Sequence, residues 1–209
     1  MSLRPARLHP MVIAAAAATL ALGVPGVAAV AQATATPVAA PAAPAARGAR
    51  AHDVDRSHSE INFVASARLL DAHGHFKSWN ADIQLDPEQL EQSRASIVID
   101  TRVERRDNHL RSADFLNVAA HPTITFVSRS IARTSPEAGT ITGDLTMRGV
   151  ARLVTVPVSM VFYQNGRGRF RGQFTLKRSE YGITYSSTMN PIADEIEVQF
   201  NLSVVERKG

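Results

Sequence analysis

The sequence predicts an all-β fold of eight antiparallel strands, closed into a barrel or folded as a sandwich, with short helical insertions. Three observations lead there. Apolar and polar residues alternate with a period of two along most of the chain between Ile61 and Val204. Asn165-Gly166, a dipeptide favoured in tight hairpin turns because both residues tolerate positive φ, joins two alternating runs. Only two stretches, 105–115 and 178–183, interrupt the rhythm with clustered charge.

The first strand carries Ile61, Phe63, Ala65 and Ala67 on one face. The second sets Trp79, Ala81, Ile83 and Leu85 against Ser78, Asn80, Asp82 and Gln84. Ala95, Ile97 and Ile99 form the third, and Ile124 with Phe126 the fourth. In the fifth, Ile141, Gly143, Leu145 and Met147 alternate with threonines and Asp144. Val154, Val156, Val158, Met160 and Phe162 make the sixth; Phe170, Gly172, Phe174 and Leu176 make the dry face of the seventh. The eighth is the clearest, with Ile196, Val198, Phe200, Leu202 and Val204 set against Glu195, Glu197, Gln199, Asn201 and Ser203. Between the third and fourth, Leu110, Asp114 and Phe115 have helical spacing, which predicts a short helix across one end of the sheet, capped by Asp107.

Closing such a sheet removes both edges, and an eight-stranded interior is either filled by side chains or arranged around one small ligand. The dry faces mix Phe, Trp and Met with Gly and Ala. That mixture fits complementary packing and equally fits room for an elongated apolar guest.

Residues 1–31 read as a secretory signal peptide: Arg4 and Arg7 precede an uncharged run from Met11 to Ala31 that ends in Ala29-Val30-Ala31. An uncleaved anchor is the alternative, since the run could span a bilayer, but Pro25 and the weakly apolar alanines favour cleavage. Residues 32–51 are almost wholly Ala and Pro and read as a flexible linker. All 12 aromatic residues lie beyond it, which makes 52–209 the folded domain. The expected location is therefore periplasmic or secreted.

The net charge of +4 belongs to the leader and linker, because residues 1–51 contain Arg4, Arg7, Arg47, Arg50 and no acid. Without those four cations the remainder holds 19 basic and 19 acidic side chains, so the domain has no excess charge to drive nucleic-acid binding. Cysteine is absent, which excludes disulfides, thiolate catalysis and a lipidated N-terminal cysteine.

Seven segments in order then carry a resemblance: His58-Ser59-Glu60-Ile61-Asn62-Phe63, Gly74-His75-Phe76, Arg106 through Phe115, His121-Pro122-Thr123-Ile124-Thr125-Phe126, Gly143 through Gly149, Arg178-Ser179-Glu180-Tyr181-Gly182-Ile183, and Asp194-Glu195-Ile196. Across 52–207 the chain resembles the YceI-like, polyisoprenoid-binding family. The resemblance implies an eight-stranded antiparallel lipocalin-like barrel, exported, with a long-chain isoprenoid lipid or quinone in its apolar interior. It departs at Ala67-Arg68-Leu69-Leu70-Asp71-Ala72-His73, where the family has a basic residue or histidine followed by Leu-Gly, so the first hairpin is expected to differ.

A lipid tail needs a dry, elongated cavity, with specificity supplied by a few polar groups near its head. Phe63, Trp79, Ile83, Phe115, Phe126, Met147, Phe174 and Met189 are the expected lining, although each alone could be plain core. Arg106, His109 and Arg111 are candidate contacts for a polar head, since guanidinium groups match phosphate oxygens; capping and surface ion pairing is their ordinary alternative. His73 and His75 share a strand face but lack a third ligand at a recognised spacing. No Gly-x-Ser-x-Gly elbow or glycine-rich phosphate loop occurs. No catalytic residue, metal ligand or cofactor is therefore expected, and an enzyme ranks below a binding protein or a packed interaction barrel. An outer-membrane barrel would need aromatic girdles and a polar lumen, whereas the faces opposite the dry stripe carry Arg169, Arg171, Glu195 and Glu197. Transient membrane contact and a homodimer are left open.

Overall fold

The computed structural model of the chain describes residues 48–103 and 108–208. Its strands are β1 (Arg50–Val54), β2 (Glu60–Ala67), β3 (Ala72–His75), β4 (Trp79–Leu85), β5 (Arg94–Asp100), β6 (Thr123–Ser135), β7 (Ala138–Met147), β8 (Val150–Gln164), β9 (Arg167–Lys177) and β10 (Ile192–Glu206). They occupy eight positions around a closed antiparallel barrel, because two positions are each shared by two short strands. β1 and β2 both run against β10, β1 at Val204–Glu206 and β2 at Ile192–Asn201. Their outer neighbours follow suit, β4 on β1 and β3 on β2. Each pair is one long strand with a break in it.

The two breaks brace each other. At the first, the Asp55 carboxylate accepts from the Ser57 amide and from His58 Nδ1, the latter at 2.8 Å, and the His58 contact holds its pKa below the usual carboxylate value. Arg56 then reaches the second break, donating to the Lys77 carbonyl at 3.0 Å with its guanidinium 4.1 Å above the Trp79 ring.

β1 and β3 are the elements the sequence pattern does not reveal. β1 begins at Arg50, two residues inside the stretch read as linker, and is too short to show a period. β3 is Ala-His-Gly-His, without apolar alternation, and exists because β2 pairs with it through Asn62–His75 and Ala65–Ala72. The expected helix is also shorter. α1 covers Asn108–Arg111, after which the chain turns repeatedly, with the Phe115 amide on the Ser112 carbonyl and the Leu116 amide on the Leu110 carbonyl. The expected cap Asp107, the leader 1–31 and linker residues 32–47 lie outside the described residues.

Two hairpins close with paired positive φ angles. Asn165 and Gly166 stand at 51° and 72°, as the dipeptide predicts, and Arg148 and Gly149 at 52° and 75°. Because the strands alternate in direction, β2–β3, β5–β6, β7–β8 and β9–β10 connect at one end of the barrel, and β4–β5, β6–β7 and β8–β9 at the other.

Toward the second end His52 is buried to 1% exposure. Its Nδ1 lies 2.8 Å from the Arg50 carbonyl, which can only accept, so in the neutral ring Nδ1 carries the proton and Nε2 accepts from the Tyr163 hydroxyl at 2.8 Å. Tyr181, in the core nearer the other end, has no partner for its buried hydroxyl among the described residues.

Burial pushes both tyrosines above their ordinary pKa. The unfolded chain loses these protons first. Their contribution is therefore complete below about pH 10 and declines as pH rises through the elevated folded values. Tyr181→Phe removes an unsatisfied buried hydroxyl and is expected to stabilise the barrel by about 1 kcal/mol and flatten this alkaline decline, whereas Tyr163→Phe strands His52 and costs about 1 kcal/mol. Urea midpoints near pH 7 and above about pH 10 test both signs; a destabilised Tyr181→Phe at neutral pH refutes the first.

Candidate functional site

The interior is built from the inward half of the alternation, but glycines decide its shape. Gly74 pairs with Phe63 across β2–β3, and Gly172 with Phe200 across β9–β10. A Cβ on Gly74 would fall among the ring atoms of Phe63, and one on Gly172 among those of Phe200. At Gly143 a Cβ would stand 2.7 Å from Phe126 Cζ. Each ring thus occupies the space over a missing side chain on the barrel wall. The lumen is not filled.

What remains is a cavity of about 510 Å³. Its lining runs from His73, Leu110 and Ile192 at the α1 end to Leu90, Pro136 and Met160 near the β6–β7 turn. Six of the expected lining residues face it: Phe63, Ile83, Phe115, Phe126, Met147 and Phe174. Two do not. Trp79 is packed into the core at 5% exposure beneath Arg56, because it begins β4 at the break in that strand. Met189 is 82% exposed, since it lies in the connection ahead of β10 rather than in a strand whose register could turn it inward.

The expected head-group contacts belong to the α1 end. His109 and Arg111 both line the cavity, while Arg106 lies outside the described residues. The His109 ring packs edge-on against Phe115 at 4.7 Å and Tyr185 at 4.8 Å between centroids. Arg148 donates to the Phe115 carbonyl at 2.7 Å and so fixes the turn that carries this ring. His73 and His75 also line the cavity, but no group of three or more His, Cys, Asp or Glu side chains among the described residues could hold a metal.

Arg178 is the residue that sequence reasoning passed over. Only 8% exposed and part of the lining, it donates to three backbone carbonyls: Nε to Ala193 at 2.9 Å, Nη1 to Ile183 at 2.8 Å and Nη2 to Ile192 at 3.0 Å. A buried guanidinium satisfied in this way fastens the 3₁₀ turn Arg178–Tyr181 to the start of β10. Asp194 completes the clasp, accepting from the Ser179 amide and hydroxyl, and these bonds hold its pKa below the usual carboxylate value. The arginine's place in a motif was visible; its burial was not. Lys77, Arg111 and Arg178 are among the lining residues, and Glu137 near the β6–β7 turn is the acid among them.

The YceI-like domain family matches residues 52–204, which cover every strand from β2 to β9 and most of β1 and β10. The chain belongs to the YceI-like family. Among curated relatives, a UPF0312 protein of Ectopseudomonas mendocina is 30% identical over 168 residues, covering 75% of this chain and 87% of its own. Protein YceI of Escherichia coli O157:H7 is 28% identical, covering 75% and 86%. The crystal structure of Burkholderia cenocepacia BcnA superposes with a TM-score of 0.66 at 28% identity, over 72% of this chain and 99% of that one. A polyisoprenoid binding domain from Saccharophagus degradans superposes with a TM-score of 0.60 over 76% and 99%, and at 17% identity the likeness is one of fold. The closed antiparallel barrel derived from the strand register is thus the architecture of these YceI-like structures.

Proposed function

We propose that this protein is an exported, non-enzymatic lipid-binding barrel that sequesters or carries a long apolar ligand, a polyisoprenoid or isoprenoid quinone, in its interior. One observation carries the reading: an elongated cavity of about 510 Å³ along the barrel axis, walled by aromatic and aliphatic side chains. That volume falls within the roughly 300–1,000 Å³ of small-molecule sites. A chain of apolar repeat units gains affinity from each unit that leaves water, at about 25 cal/mol per Å² buried, without needing a directional contact along its length. The polyisoprenoid-binding domain of S. degradans, with the same fold, supports this choice of cargo. The leader 1–31 and the Ala/Pro-rich stretch that follows support export to the periplasm or beyond. His109 and Arg111 at the α1 end are the proposed contacts for the polar head.

Native mass spectrometry of the purified protein, followed by organic extraction and mass analysis, tests the reading. A stoichiometric isoprenoid or quinone is the expected result. A protein that purifies empty and takes up no added polyprenol sinks it.

A further inference from the structure

Leu69, Leu70 and Met189 are 72%, 77% and 82% exposed, far more than an apolar side chain gains by facing water. They come from two connections at the same end of the barrel, β2–β3 and β9–β10, and the structure ties those connections together. The Leu69 amide donates to Asn190 Oδ1 at 2.8 Å and the Arg68 amide to the Pro191 carbonyl at 3.2 Å. The Asp71 carboxylate accepts from the Ala67 amide at 3.2 Å, which holds the turn in shape. Both connections lead directly into the cavity wall, at Ala72 and at Ile192.

We infer that Leu69, Leu70 and Met189 form a membrane-inserting tip through which the cavity exchanges its cargo with an anionic bilayer. The inference rests on the lipid-carrier reading for its purpose, and on the exposed residues for its location. A bilayer is favoured over a second copy of the chain on two grounds. Three side chains fall short of the roughly 800 Å² per partner that a stable dimer buries. Arg111 lines this end of the cavity and the exposed Arg68 flanks the tip, which suits a surface of anionic head groups. Apolar residues at the interface beside basic ones are the usual means by which a peripheral protein holds a membrane reversibly. A lipid leaving the bilayer at this point would pass from acyl chains to cavity wall with little exposure to water.

The test uses protein expressed from the complete sequence, with its processed form fixed by intact mass. It is floated with vesicles of equimolar phosphatidylcholine and phosphatidylglycerol and with phosphatidylcholine alone. The wild type is expected to float with the anionic vesicles, and Leu69→Ser/Leu70→Ser/Met189→Ser to bind them roughly tenfold or more weakly at an unchanged melting temperature. Leu70→Trp supplies a direct reading, because Trp79 is buried: its emission should shift to the blue on anionic vesicles. A wild type that stays at the bottom, a triple variant that floats equally well, or a Leu70→Trp emission that does not move overturns the proposal. So does a triple variant that turns a dimer into a monomer in sedimentation while its flotation is unchanged. Extraction separates this inference from the cargo reading. Protein that yields isoprenoid but does not float defeats the tip alone, and protein that floats yet neither yields nor takes up polyprenol defeats the cargo alone.

Discussion

Gly172→Val is expected to lower the amount of isoprenoid recovered from the purified protein by about tenfold or more, the largest effect on cargo that a single substitution in the wall should produce. The new Cβ would collide with Cζ and Cε1 of the Phe200 ring and stand 2.9 Å from the Pro157 carbonyl oxygen. That carbonyl belongs to a paired strand and cannot retreat, so the ring must swing away from the wall, and the space open to it is the cavity it lines. Overpacking of this kind also costs about 1–3 kcal/mol of stability. Gly172→Val combined with Phe200→Ala distinguishes a filled lumen from a damaged barrel. The double variant frees the space over the wall and should recover cargo, even where its stability stays below the wild type's. Recovery of full cargo from the single variant would mean that the ring over Gly172 does not set the width of the site.

Arg178→Ala should give the largest loss of stability, about 3 kcal/mol or more, read as a fall in the urea midpoint. Three carbonyls lose their donor at once, that of Ile183 in a buried bond and those of Ile192 and Ala193 in partly buried ones. The Ser179 contacts to Asp194 and the Arg152 contacts to the Glu180 carbonyl then hold the turn, at exposed sites where they contribute little. Arg178→Lys should recover only part of the loss, because one ammonium cannot span three acceptors that a planar guanidinium reaches together. A midpoint within about 0.5 kcal/mol of wild type for the alanine variant would refute the clasp.

Much of the barrel could be read in the residues. Period-two alternation sorts side chains into two faces without reference to any partner strand, and eight such runs located six barrel strands and parts of the two split ones. The Asn165-Gly166 turn was legible because it is local: two residues suffice to specify two positive φ angles. β3 was not, since Ala72–His75 has no pattern of its own and takes its conformation from β2. The candidate site divides in the same way. Phe63, Phe126 and Phe174 sit mid-strand, where alternation alone turns them inward, and they line the cavity; Met189 sits outside any strand and points to solvent.

The sequence by itself determined the eight barrel positions, the inward face of most of their strands and the YceI-like family. It did so because facing is a property of one strand and family is a property of motif order. Tertiary structure alone decided that two barrel positions would be split, that Phe63 and Phe200 would each meet a glycine, and that Arg178 would be buried among carbonyls. These depend on register between strands distant in sequence, which a repeating period leaves undetermined, since sliding one strand by two residues preserves every face and changes every neighbour. A cavity is the volume left after all such neighbours are placed, and no single segment encodes it.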